Sequence, residues 1–111
     1  MSKYVWVVVH CQHRTEATKI GRRLLRAHQI ACYDIIRRES GGYFWPPKAR
    51  RLVTSGGYTL QLTTVTSRWR VIVNRVKNLH SDRIPFIAAI PLTHLAPSYG
   101  RWLNKELRAK R

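Results

Sequence analysis

Apolar residues dominate the start of the chain, with Tyr4, Trp6 and Val8 on one face of an extended run and Val5, Val7 and Val9 on the other. A strand that is apolar on both faces belongs in the interior of a sheet, covered above and below. It ends on Cys11, after which the period changes from two to 3.6. Ala17, Ile20, Leu24 and Ala27 recur at helical spacing and form a buried stripe. Thr15 is placed to cap this helix, with Glu16 in its positive first turn. Lys19, Arg22, Arg23 and Arg26 make an opposing stripe that must face solvent or a partner. Ile30 to Arg37 reads as a second strand, and Gly41-Gly42 allows a bend before Tyr43-Phe44-Trp45. Pro46-Pro47-Lys48 makes a turn, since proline cannot donate to a sheet ladder. Ser55-Gly56-Gly57 reads as another turn, followed by near alternation from Tyr58 to Thr64, so residues 43–64 form a long hairpin. Ser67 opens a second helix with Trp69, Ile72, Val73, Val76 and Leu79 on one face. A short strand from Ile84 to Pro91 and a last helix from Ser98 to Arg108 complete the chain, with Tyr99, Trp102, Leu103 and Leu107 turned inward.

The order strand, helix, strand, strand, helix, strand is the ferredoxin-like βαββαβ plan, an α+β sandwich, here with a long central hairpin and an extra C-terminal helix. No linker, solenoid repeat or low-complexity tract divides it, so residues 1–111 form one domain. That plan hosts many unrelated activities and assigns none by itself.

Charge changes the picture more than composition does. The chain carries 21 Lys and Arg against five Asp and Glu, a formal net charge of +16. Such a surface attracts polyanions, nucleic acid among them. Two cysteines are too few for a disulfide framework and lack zinc-type spacing. No signal-type cleavage site follows Val9, and no apolar run approaches the roughly 18 residues of a membrane span. The expectation is a reducing, cytoplasmic setting.

Several segments together resemble the CutA divalent-cation tolerance family. They are the first strand ending on Cys11, the Ala31-Cys32 pair, Tyr43 and Trp45 ahead of Lys48, and Thr63-Thr64 before the second helix. His80-Ser81-Asp82-Arg83-Ile84-Pro85-Phe86 stands where the family carries a His-Pro-Tyr-x-x-Pro-Glu motif, and Tyr99, Trp102 and Leu103 match its Tyr-x-x-Trp-Leu. The resemblance spans essentially the whole chain. It implies a homotrimer in which the long hairpin of one subunit extends the sheet of its neighbour, with Tyr43, Phe44 and Trp45 at the interface. It also implies Cu2+ binding near the first-strand cysteine and a His-His pair, of which His80 is present and Leu79 occupies the other position. The family's acidic positions around the proline motif are Arg83 and Phe86 here.

These residues frame the functional expectations. Cys11 is the principal soft ligand, with His80 and Cys32 as helpers, and thiolate suits copper or zinc. Against that, a free cysteine often behaves as a small buried hydrophobe, and a histidine at a helix C-terminus satisfies the helix dipole. His10 and Cys11 leave a strand on opposite faces, so His10-Cys11-x-His13 does not converge on one ion. Asp82 and Glu39 are the remaining candidate oxygen ligands. No Ser-His-Asp or Cys-His-Asn set, paired carboxylates or phosphate-cradling glycine loop is present, so the expectation is a non-enzymatic protein. The alternative to a trimeric metal-binding protein with its ligand cleft between subunits is a polyanion- or nucleic-acid-binding module on the same fold, or a scaffold with an altered surface charge. Its contacts would be Lys19, Arg22, Arg23 and Arg26, with Lys48, Arg50 and Arg51 on the hairpin and Arg101, Lys105, Arg108, Lys110 and Arg111 near the C-terminus.

Overall fold

A computed structural model describes residues 2–108; Lys110 and Arg111, named above for polyanion contact, lie outside them. The elements follow in the order β1 (Tyr4–Cys11), α1 (Arg14–Arg26), β2 (Cys32–Trp45), β3 (Arg51–Val65), α2 (Trp69–Leu79), β4 (Ile87–Leu92) and α3 (Pro97–Arg108). They build one four-stranded antiparallel sheet in the order β2-β3-β1-β4. The doubly apolar β1 is central, with Val7 opposite Leu62 of β3 on one side and Ala89 of β4 on the other.

One face of the sheet is covered by α1 and α2. Val5, Val7, Val9 and Cys11 of β1 pack there with Leu60 and Leu62 against Ala17, Ile20 and Leu24 of α1 and Ile72 and Val76 of α2. A smaller core forms beneath α3, where Leu103 and Leu107 meet Ala31 and Val65, with Tyr4 alongside. The rest of the second face is open. Ile36 and Ile90 are each 49% exposed there, in the same outward parity as Trp6 and Val8.

Local chemistry moves several boundaries. The first helix starts at Arg14, with extended His13 as its N-cap: the His13 carbonyl accepts the Ala17 N–H, so Thr15 is not the cap. A 3-10 turn over Thr66–Arg68 precedes α2, which begins at Trp69 rather than Ser67. The last strand begins at Ile87, opposite Val9, instead of Ile84, and it accommodates Pro91 because it lies at the edge of the sheet. In α3, Leu103 and Leu107 are buried as expected, with Gly100, while Trp102 is exposed and Tyr99 is only partly covered, its hydroxyl reaching Cys32 of β2.

The hairpin differs most. It begins at Cys32, its strands run through both glycine pairs, and the only turn lies between Trp45 and Arg51. Gly41-Gly42 follows an irregularity in register between Arg38 and Gly41, and Gly56-Gly57 runs opposite it within β3. Backbone crowding explains the second pair. A Cβ on Gly57 would stand 2.7 Å from the Cys11 carbonyl oxygen, and one on Gly56 would stand 2.7 Å from that of Glu39. The hairpin reaches well beyond the helices, giving a molecule of 48 × 29 × 23 Å. Its radius of gyration of 15.1 Å exceeds the roughly 13 Å expected of a compact chain of this length.

Helix α1 lies close enough to β2 for Gly21 to be buried against Tyr33, where a Cβ would meet the ring at 2.8 Å. Alanine ordinarily favours a helix over glycine by about 1 kcal/mol. Overpacking against a ring costs about 1–3 kcal/mol, so Gly21→Ala should lower the urea midpoint of unfolding; an increase would show that Tyr33 yields without cost.

Candidate metal centre

Three side chains from separate elements converge at the C-terminal end of β1. Cys11 is the last residue of that strand and is 1% exposed beneath the helices. Glu16 sits in the first turn of α1, and His80 caps the end of α2. The Cys11 thiol, a Glu16 carboxylate oxygen and a His80 ring nitrogen all lie within 4.8 Å of one another.

The His80 ring is fully buried and held at both nitrogens. Nε2 faces the His10 carbonyl oxygen at 2.7 Å, and since a carbonyl only accepts, Nε2 is the donor. Nδ1 accepts the Asp82 backbone N–H at 2.9 Å and lies 3.8 Å from Glu16 Oε1. The lone pair of the ring is thus engaged by the Asp82 N–H, with the carboxylate beside it. Glu16 Oε2 accepts the Ser81 N–H at 3.0 Å, while its buried Oε1 has no hydrogen-bond partner among the described residues.

Burial pushes the Cys11 thiol up from its ordinary value of 9.0 to about 12, and the charges of Glu16 and Asp82 add to the effect. Arg38 opposes it, packed over Gly57 at the end of β1. The proton is thus held tightly, and only a ligand competing for sulfur would displace it. Sulfur, imidazole nitrogen and carboxylate oxygen form a borderline-soft donor set that suits copper or zinc better than magnesium or calcium. Thiolate and carboxylate together would neutralise a divalent charge. A carbonyl on the far ring nitrogen is the usual outer support of a metal-bound histidine. The residues therefore fit the metal that the resemblance implies, provided Nδ1 gives up the Asp82 N–H.

The other expected ligands are elsewhere. Cys32 pairs with Thr63 and Cys11 with Tyr58, five residues apart along β3, which lies between their strands. That offset is about 17 Å, so Cys32 does not join this site within a protomer; its Sγ is 3.2 Å from the Tyr99 hydroxyl. His10 leaves β1 on the opposite side from Cys11 and stacks on Phe86 at 4.4 Å. Desolvation, then Arg38, lowers its pKa. Glu39 is exposed on the hairpin, and Asp82 engages the site through its backbone N–H. Glu16, read from the sequence only as a dipole partner, supplies the carboxylate instead. Its signal is its place in the first turn of the helix that leaves the Cys11 strand, directly over the strand end.

Comparison with known proteins agrees with this architecture. The family described as CutA1 divalent ion tolerance protein matches residues 5–106. The divalent-cation tolerance protein CutA of Thermococcus kodakarensis is 30% identical over 91 residues, covering 82% of this chain and 84% of the relative. The CutA protein of Salmonella newport is 28% identical over 106 residues, covering 92% and 88%. Among solved structures, the periplasmic divalent cation tolerance protein CutA from Archaeoglobus fulgidus superposes with a TM-score of 0.88 at 20% identity, covering 95% of this chain and 99% of that one. CutA from Xylella fastidiosa gives 0.87 at 23% identity, covering 96% and 99%. The ferredoxin-like fold with its long hairpin is thus a shared one, and the chain belongs to the CutA1 divalent ion tolerance family.

Proposed function

We propose that this protein is a non-enzymatic, homotrimeric divalent-cation binder whose ligands are Cys11, Glu16 and His80, with Cu2+ or Zn2+ as the ion. The observation that carries the reading is the buried Glu16 Oε1, without a hydrogen-bond partner among the described residues, beside a thiol and an imidazole nitrogen. All three donors come from one protomer, so this site does not depend on a cleft between subunits. Titration calorimetry with Cu2+ and with Zn2+ tests it: one ion per protomer is expected, and its absence in the parent protein would remove the reading.

The trimer is supported by what one protomer leaves uncovered. Ile36 and Ile90 lie open on the sheet, and Tyr43, Phe44, Trp45 and Leu52 are exposed on the hairpin. Among the described residues, no helix is long and apolar enough to cross a membrane. Two free cysteines accord with a reducing, cytoplasmic location, although one structural relative is described as periplasmic.

A further inference from the structure

The helical layer carries a charge pattern that a cation-binding site does not use and an incoming cation would find unfavourable. Helices α1 and α2 touch side by side over the sheet. Between them they present eight Lys and Arg residues, all exposed: Arg14, Lys19, Arg22, Arg23 and Arg26 on α1, and Arg70, Arg75 and Lys77 on α2. No acid offsets them. The single carboxylate of α1, Glu16, turns inward to Ser81 and His80, and α2 contains none. Among the described residues none of these eight cations forms a salt bridge.

Their arrangement is ordered. On α1, Lys19, Arg22, Arg23 and Arg26 share the face opposite Ala17, Ile20 and Leu24, spanning about 10 Å of helix axis. On α2, Arg70 and Lys77 stand seven residues apart, again opposite Ile72 and Val76. Packed helices lie roughly 8–10 Å apart, so the layer displays two neighbouring rows of cations, Lys19, Arg22, Arg23 and Arg26 on α1 and Arg70 and Lys77 on α2, four of these six being arginines able to grip phosphate oxygens in pairs. Aromatic rings are missing from these rows; Trp69 shares the side of α2 that carries Ile72 and Val76. Base stacking, the usual grip on single strands, therefore has no platform here. A membrane surface is less well matched, because the main apolar stripes of both helices pack on the sheet and leave only Leu25, Trp69 and Val71 partly exposed, too few for an interfacial apolar face.

We propose that the solvent face of α1 and α2 binds the phosphate backbone of duplex nucleic acid, independently of base sequence. Two rows of cations carried on packed helices match the two rows of phosphates that a duplex presents. The face lies on the side of the sheet away from the open apolar surface, so assembly through that surface leaves it free.

Fluorescence anisotropy with a labelled 25-base-pair DNA duplex tests the proposal. About five phosphate contacts give a log–log salt slope near −4.5, and hence roughly a 500-fold loss of affinity between 50 and 200 mM salt. Duplexes of unrelated sequence should bind within about twofold of each other, and the duplex should bind better than a single strand of equal length. The R22E/R23E/R26E variant should reduce the magnitude of the slope by about 2.7 while keeping the parent's melting profile. The R22K/R23K/R26K variant should restore binding, and this arm stands even if the glutamate variant folds poorly. An equal loss on reversing Arg101 and Lys105 of α3 would overturn the assignment to this face. So would retention on vesicles of phosphatidylserine and phosphatidylcholine without binding to the duplex.

Discussion

Copper and zinc should bind the Cys11→Ala protein more than about 100-fold more weakly than the parent. Loss of an outer-shell partner of a metal ligand already lowers affinity by about 10–100-fold, and Cys11 is the only sulfur in the site. Glu16→Gln keeps the shape but removes the charge that balances the cation, so it should also weaken binding. Affinity in the parent should rise with pH. Each bound ion must displace the thiol proton, held with a pKa of about 12, so the gain is about tenfold per pH unit through neutrality and well into the alkaline range. The same proton bears on stability with the opposite sign. A thiol whose pKa is raised on folding stabilises the metal-free protein below pH 9 and loses that contribution as pH climbs from 9 toward about 12. Cys11→Ala should lack this component when unfolding is followed across that window. If the variant binds metal as tightly as the parent, the ion resides on exposed histidines such as His13 or His94 and the proposed centre is wrong.

The fold was legible because local and long-range signals agreed. The apolar run of β1 marks a central strand, and the helical stripes of α1 and α2 identify one covered sheet face. The hairpin was harder to place. Gly56-Gly57 has the composition of a turn, but the glycines are there because the Cys11 and Glu39 carbonyls approach too closely for a Cβ, which only the fold reveals. Tyr99 and Trp102 share the helix stripe of Leu103 closely enough to read as core, yet α3 covers only one end of the sheet, leaving Trp102 exposed and Tyr99 only partly covered. At the site, the strand-end position of Cys11 was readable, and so was the divergence of His10. The role of Glu16 was not, because its partner Ser81 is 65 residues away and the contact is made through tertiary packing. Cys32 could join Cys11 only if their strands were neighbours, and β3 lies between them.

Ile90→Glu should convert the proposed trimer to monomer at micromolar concentration, as read by light scattering or sedimentation. Ile90 lies on the edge strand β4 beside Trp6 of the central strand, and Ile36 on β2, at the opposite edge, shares its outward parity. Completely burying a large apolar side chain contributes about 1.5–3 kcal/mol, and each of these is half-buried already, so several must act together to hold subunits. A carboxylate in their midst would have to be desolvated without a partner, which costs several kcal/mol, and the variant protomer should keep its helices because Ile90 touches neither helical core. Trp45→Ala should act in the same direction but less strongly. The Arg83 guanidinium already stands 6.0 Å over its ring within the protomer, so only part of the about 3–5 kcal/mol typical of a buried tryptophan is available to assembly. A parent protein that sediments as a monomer would leave the open face without the partner proposed for it, and the protruding hairpin would then need another cover.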